Sequence, residues 1–143
     1  MSELIERLRQ HWLKQGIALG NGASESQVEE LESENHIVLP DDFREYLLSI
    51  SVREDWFMDD SMISFWTIKR IREEYLDTRN EETAYLAFAD FLINSHEYAI
   101  KLQSDSAIAP VFFLCGHFVT QIASSFTEFL ERYIASDEEM LIK

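Results

Sequence analysis

The stretch His36-Ile-Val-Leu-Pro-Asp-Asp-Phe-Arg-Glu-Tyr-Leu-Leu-Ser-Ile50 decides how this chain is read. Proline suits the first position of a helix, where its missing N–H is not needed. Asp41 and Asp42 then fall in the first turn, where the helix dipole favours negative charge. Phe43, Tyr46, Leu47 and Ile50 follow at i, i+3, i+4 and i+7, the stripe of an amphipathic helix. Two adjacent carboxylates are thus accounted for as a helix start, which leaves a second role open to them.

Working outward, residues 3–15 predict a helix, with Leu4, Ile5, Leu8, Trp12 and Leu13 on one stripe. The glycines of "GIALGNGAS" (16–24) end it in a loop. Ser24 followed by Gln27 has the capping-box pattern, so a second helix starts there with Val28 and Leu31 as its buried face. Beyond Ile50 the period changes. Residues 62–68 are β-branched and aromatic and predict a strand, and "IKRIREEYLDT" (68–78) returns to helical spacing. "AYLAFADFL" and "EYAIKLQ" predict two strands joined by the short turn "NSH", an antiparallel hairpin. "VFFLCG" and "HFVTQIA" predict another pair around Gly116. Residues 125–134 close the chain as a helix, capped by Ser124 or Ser125, with Phe126, Phe129, Leu130, Tyr133 and Ile134 on one face. Strands grouped as hairpins predict an α+β fold, a central, mostly antiparallel β-sheet flanked by helices, rather than alternating βαβ units. No repeat or linker divides the 143 residues, so residues 1–143 read as a single domain.

Composition bounds the chemistry. One cysteine, Cys115, allows no internal disulfide, and the charged N-terminus does not read as a signal peptide. No apolar run approaches the roughly 20 residues of a membrane helix. These features predict a soluble cytoplasmic protein. The net charge of −15 argues against nucleic acid and membrane partners and in favour of a basic protein partner. Between residues 24 and 60, twelve acids face two arginines, which is ten of the fifteen net negative charges. Such a block also serves as a solvated face.

Catalytic patterns are wanting. The four histidines lie far apart, a cysteine-rich zinc site is excluded, and there is neither a Gly-rich phosphate loop nor a G-x-S-x-G elbow. Cys115-Gly116-His117 reads as a strand turn with a small buried thiol. The adjacent pairs Asp41/Asp42 and Asp59/Asp60 point in different directions on a regular element, so neither makes a metal site unaided. The expectation is a non-enzymatic protein without cofactor, metal or catalytic residues. Its partner-binding segment is "VREDWFMDDSM" (52–62), where Trp56 and Phe57 stand as apolar anchors among Glu54, Asp55, Asp59 and Asp60. Asp41 and Asp42 join this candidate surface. The alternative is that Trp56 and Phe57 fold back over the core.

Three segments carry a family resemblance. "VEELESENHIVLPDDFREYLLSI" (28–50) resembles the opening of the SUKH superfamily, which includes the fungal Smi/Knr cell-wall regulators. "FADFLINSHEYAIKL" (88–102) resembles its central hairpin, and "IASSFTEFLERYI" (122–134) its closing strand and helix. In place of the Asn-Gly turn that often follows the Leu-Pro helix, this chain has "SISVRED" (49–55). The resemblance implies a single α+β domain. It also implies one of two roles: an immunity protein that blocks a cognate toxin, many such toxins being nucleases, or a regulatory scaffold that binds a cellular protein.

Overall fold

The computed structural model describes residues 2–53, 59, 62–78, 85–91, 96–102, 108–116 and 118–135. The chain runs α1 (Ser2–Lys14), β1 (Leu19–Gly20), α2 (Glu25–Asn35), α3 (Asp41–Ser49), β2 (Ser51–Val52), β3 (Ile63–Phe65), α4 (Ile68–Thr78), β4 (Tyr85–Phe91), β5 (His96–Lys101), β6 (Val111–Cys115), β7 (Phe118–Ala123) and α5 (Phe126–Ile134). Strands β3 to β7 form one antiparallel sheet in chain order, and β1 pairs with β2 in a separate two-stranded ladder. The fold is α+β, as the hairpin grouping of the strands predicts.

Helix α5 is the centre of the packing. Its Phe126, Phe129, Leu130 and Tyr133 are buried. Phe129 and Tyr133 sit on Phe65 of β3, and Phe129 also meets Phe88 of β4 and Tyr98 of β5. Phe43 and Tyr46 of α3 reach Phe126 at ring-centroid distances of 4.9 Å. Trp12 of α1 meets Phe65 edge-on at 5.0 Å. Edge and tilted contacts of this kind add to the area each ring removes from water. Leu13, placed by its spacing on the buried stripe of α1, is 51% exposed. It lies one residue beyond Trp12, and the 100° rotation carries it past the edge of the apolar face.

Local signals set the helix ends. Ser24 and Gln27 make both hydrogen bonds of the capping box. Pro40 stands as N-cap in an extended conformation, so α3 begins one residue later than the proline rule places it. Ser125 accepts from the Glu128 N–H, while the Glu128 carboxylate accepts from the Ser124 N–H. Glu32 fastens the Leu-Pro step: its carboxylate accepts the Leu39 N–H at 2.9 Å and pairs with Arg44 of α3.

The predicted loop after α1 contains an unforeseen ladder. Leu19 pairs with Val52 and Gly20 with Ser51, bringing the chain after α3 back beside the end of α1. Gly22 makes this possible. It holds φ +90°, and a Cβ there would lie 2.5 Å from the Leu48 carbonyl oxygen and 2.9 Å from the Ile50 nitrogen. Beside it, the Ala23 N–H donates to the Leu47 oxygen. The strand predicted over 62–68 is three residues long, because α4 begins at Ile68. The "NSH" turn lies largely outside the described residues.

On the opposite face of the sheet, α4 covers β4. Asp90 of β4 is fully buried and accepts the Trp66 indole N–H at 2.7 Å. Arg70 pairs with the same carboxylate at 3.3 Å and lies 4.2 Å over the Trp66 ring. Directly across from Asp90 stands Glu97. Burial raises the Glu97 pKa, and the negative charges of Glu74 and Asp90 raise it further, against the opposing pull of Arg70.

Two predictions follow from these positions. Gly22→Ala should destabilise the protein by about 2 kcal/mol or more, since left-handed strain and a backbone clash coincide. Chemical denaturation measures it. Glu97 binds its proton more tightly folded than unfolded. Its ionisation therefore costs stability above the unfolded value of about 4.3, and the cost is absent below it. Glu97→Gln should raise the melting temperature at neutral pH, with the gain fading as the pH falls toward about 4.3.

Candidate partner-binding surface

Of the residues singled out for partner binding, Glu54, Asp55, Trp56, Phe57 and Asp60 lie outside the described residues. Their two attachment points are described. On one side the Arg53 N–H donates to the Ala18 oxygen at 3.0 Å and its Nε to the Leu19 oxygen at 2.6 Å. The β1–β2 ladder thereby fixes where the segment leaves the body. On the other side stands Asp59, only 8% exposed. Its N–H donates to the Ile63 oxygen, and its carboxylate accepts the Ile63 N–H at 3.0 Å. The same carboxylate accepts the Tyr133 hydroxyl proton. That hydroxyl in turn accepts the Trp12 indole N–H at 2.8 Å.

The phenol of Tyr133 therefore bridges α1, α5 and the far end of the segment. Burial, together with the Asp59 charge and its hydrogen bond, pushes the Tyr133 pKa up, so the phenol stays protonated and able to donate. Asp59 is thus an anchor turned into the fold.

Asp41 and Asp42 part company. Asp41 is exposed at the first turn of α3. Asp42 is half-buried, and its carboxylate accepts from both the N–H and the hydroxyl of Thr127, each at 2.8 Å. Its other oxygen accepts the Phe43 N–H. Asp42 therefore caps the first turn of α5 from a neighbouring helix and locks α3 to it. The remaining acids of the block are divided in the same way. Glu30 and Glu34 of α2 pair with Arg72 of α4, and Glu32 pairs with Arg44. Glu25, Glu29, Asp41 and Glu45 stay exposed.

Sequence reasoning did not flag a second exposed feature. Strand β7 lies at the end of the sheet order, and its Phe118 and Val119 are 76% and 48% exposed. Periodicity identifies this strand, but its edge position depends on the order of the whole sheet. Among the described residues, no group of three or more His, Cys, Asp and Glu side chains is placed to hold a metal ion. Cys115 is half-buried at the end of β6. No described helix is long and apolar enough to cross a membrane.

The order of these elements, an acidic helix, a Leu-Pro step, an aromatic helix, a sheet of hairpins and a closing helix, has a counterpart among known proteins. The profile of the SMI1 / KNR4 family (SUKH-1) matches residues 22–132. The chain belongs to that family. The match begins at Gly22, whose geometry permits the β1–β2 ladder, and runs through the Thr127 contact of Asp42 to within a residue of Tyr133. A search of curated proteins gave no match.

The two adjacent aspartates should respond differently to alanine. Asp41→Ala should cost no more than about 1 kcal/mol, the value of a helix-start charge. Asp42→Ala should cost about 2–3 kcal/mol, because two hydrogen bonds to a charged group are lost and the Thr127 N–H is left without its acceptor. Urea unfolding of the two variants side by side checks the difference.

Proposed function

We propose that this domain is a non-enzymatic protein-binding module, an immunity protein that neutralises a cognate toxin by occluding it. The observation that carries the reading is the attachment of the segment 54–60. A stretch bearing Trp56 and Phe57 beside Glu54 and Asp55 is fastened at one side by the β1–β2 ladder and at the other by buried Asp59, with Asp60 next in sequence. Fixed attachment lowers the ordering cost of binding, and aromatic anchors in an acidic rim suit a basic partner. Exposed Asp41 extends the surface, while Asp42 and Asp59 support it from within. Membership of the SMI1 / KNR4 family supports a protein-binding role of either the immunity or the regulatory kind. The acidic face would stand in for nucleic-acid phosphates where the toxin is a nuclease, and it would act in the cytoplasm of the producing cell.

Co-expression with a toxin domain encoded beside this gene, scored by survival, tests the reading. Protection is the expected outcome. Binding should weaken with salt, as steered association does. Neutralising Glu54, Asp55 and Asp60 together should reduce affinity at least about tenfold, and Trp56→Ala should cost about 2 kcal/mol or more. Unchanged affinity in both variants would place the contact elsewhere. Capture of a cell-envelope enzyme in place of a toxin would establish the regulatory-scaffold alternative.

A further inference from the structure

Strand β7 is an open edge of the main sheet. β6 pairs with one side of it, and no described strand pairs with the other. An unpaired strand side presents a row of N–H and C=O groups that a further strand can take. The opposite edge differs: β3 is three residues long, and all three are buried. The register defines how much of β7 is open. Phe112 pairs with Gln121 and Val111 with Ala123, so Ile122 is the extra residue of a bulge. Its carbonyl accepts an N–H of Arg132 from α5. What remains is Phe118, Val119, Thr120 and Gln121, all exposed, Phe118 the most.

The chemistry of this edge selects its occupant. Edge strands are ordinarily protected by charge or proline. Neither β6 nor β7 contains a charged residue or a proline, in a chain 27% of whose residues are charged. A basic protein is drawn to the acids of residues 24–60 and finds no counter-charge here. A second copy of this chain is repelled elsewhere by the shared net charge of −15, but at β7 it meets a strand as neutral as its own.

Symmetry fits as well. Two antiparallel copies of one strand are related by a two-fold axis perpendicular to the sheet. The Cys115–Phe118 pair closes the β6–β7 hairpin. That register gives the inward backbone bonds to Phe118 and Thr120 and turns the backbone groups of Val119 and Gln121 outward. An axis between two Val119 residues lets them exchange both bonds. It sets Phe118 of each copy beside Thr120 of the other and keeps the pairing clear of Ile122 and Arg132.

We infer that β7 pairs antiparallel with β7 of a second copy, making one continuous sheet from two. Buried, three-residue β3 does not extend the array, so association closes at the dimer. Contact through four residues a side is at the small end of specific interfaces, which makes the dimer weak and reversible. The inference is independent of the partner-binding reading, because β7 lies outside the segment 54–60 and its test needs no partner protein.

Sedimentation equilibrium of the full chain measures it. A monomer–dimer equilibrium with a Kd of about 10–100 μM is expected, with no larger species. High salt should tighten the dimer, since it screens the repulsion of two like-charged copies, whereas binding of a basic partner moves the other way. Val119→Lys and Phe118→Lys should each weaken the dimer at least about tenfold. Each lowers the net negative charge, so added repulsion cannot explain the loss. Val38→Lys, at a comparably exposed apolar residue outside the sheet, should leave the Kd unchanged. Protection of the Val119 amide from hydrogen exchange should rise with protein concentration. A chain that stays monomeric to about 500 μM at high salt would overturn the proposal and leave the edge to a foreign strand. So would a dimer that both β7 variants leave intact, or equal weakening by Val38→Lys.

Discussion

The hydroxyl of Tyr133 is the junction on which the arrangement of this domain depends. It accepts from Trp12 of the first helix and donates to Asp59 at the foot of the 54–58 segment. Each of these groups is buried and would be costly alone. An indole N–H needs an acceptor, a buried carboxylate needs donors, and a phenol can serve both at once. Residues 121 positions apart in sequence are thereby made to agree on one geometry. Because the acceptor is charged, the link to Asp59 is worth about 1.5–3 kcal/mol, more than a neutral hydrogen bond. Position follows from the same bond: the chain between Arg53 and Asp59 departs from one fixed point and returns to another.

Helix α5 extends this logic from its other end. Asp42 holds its first turn through Thr127, and Asp59 holds its last turn through Tyr133. Between them its apolar side lies across β3, β4 and β5. Two acids from a block that looks like solvated charge are in effect fasteners of the closing helix. Glu32 does the same for the Leu-Pro step. The net charge therefore overstates how much negative surface the 24–60 region presents. Within that region the described acids that stay exposed outside these pairs are Glu25 and Glu29 of α2 and Asp41 and Glu45 of α3.

Much of this fold is legible in the residues themselves. Ser24 with Gln27, Pro40 before two aspartates, and the spacing of Phe126, Phe129, Leu130 and Tyr133 are local codes, and the structure follows them within a residue. What escapes such reading depends on distant partners. The β1–β2 ladder is two residues long on each side, too short for any period, and rests on a glycine whose need becomes plain only beside Leu48 and Ile50. Leu13 is apolar and nearly in phase, but the width of the buried face excludes it. For the candidate surface, composition pointed to segment 52–62, yet the burial of Asp59 depends on Tyr133, far off in sequence. The exposure of Phe118 depends likewise on the order of five strands.

Asp41 and Asp42 show why adjacency in sequence is a poor guide to shared function. Successive helical residues are turned about 100° from one another, so one carboxylate of such a pair can face water while the next faces a neighbouring element. Here the second finds the first turn of α5, where N–H groups lack intrahelical acceptors. The charge that favours the start of α3 thus favours the start of α5 as well. A single carboxylate satisfies two helix termini, and the helices it joins are the two that carry Tyr46, Phe126 and Phe129 into one aromatic core.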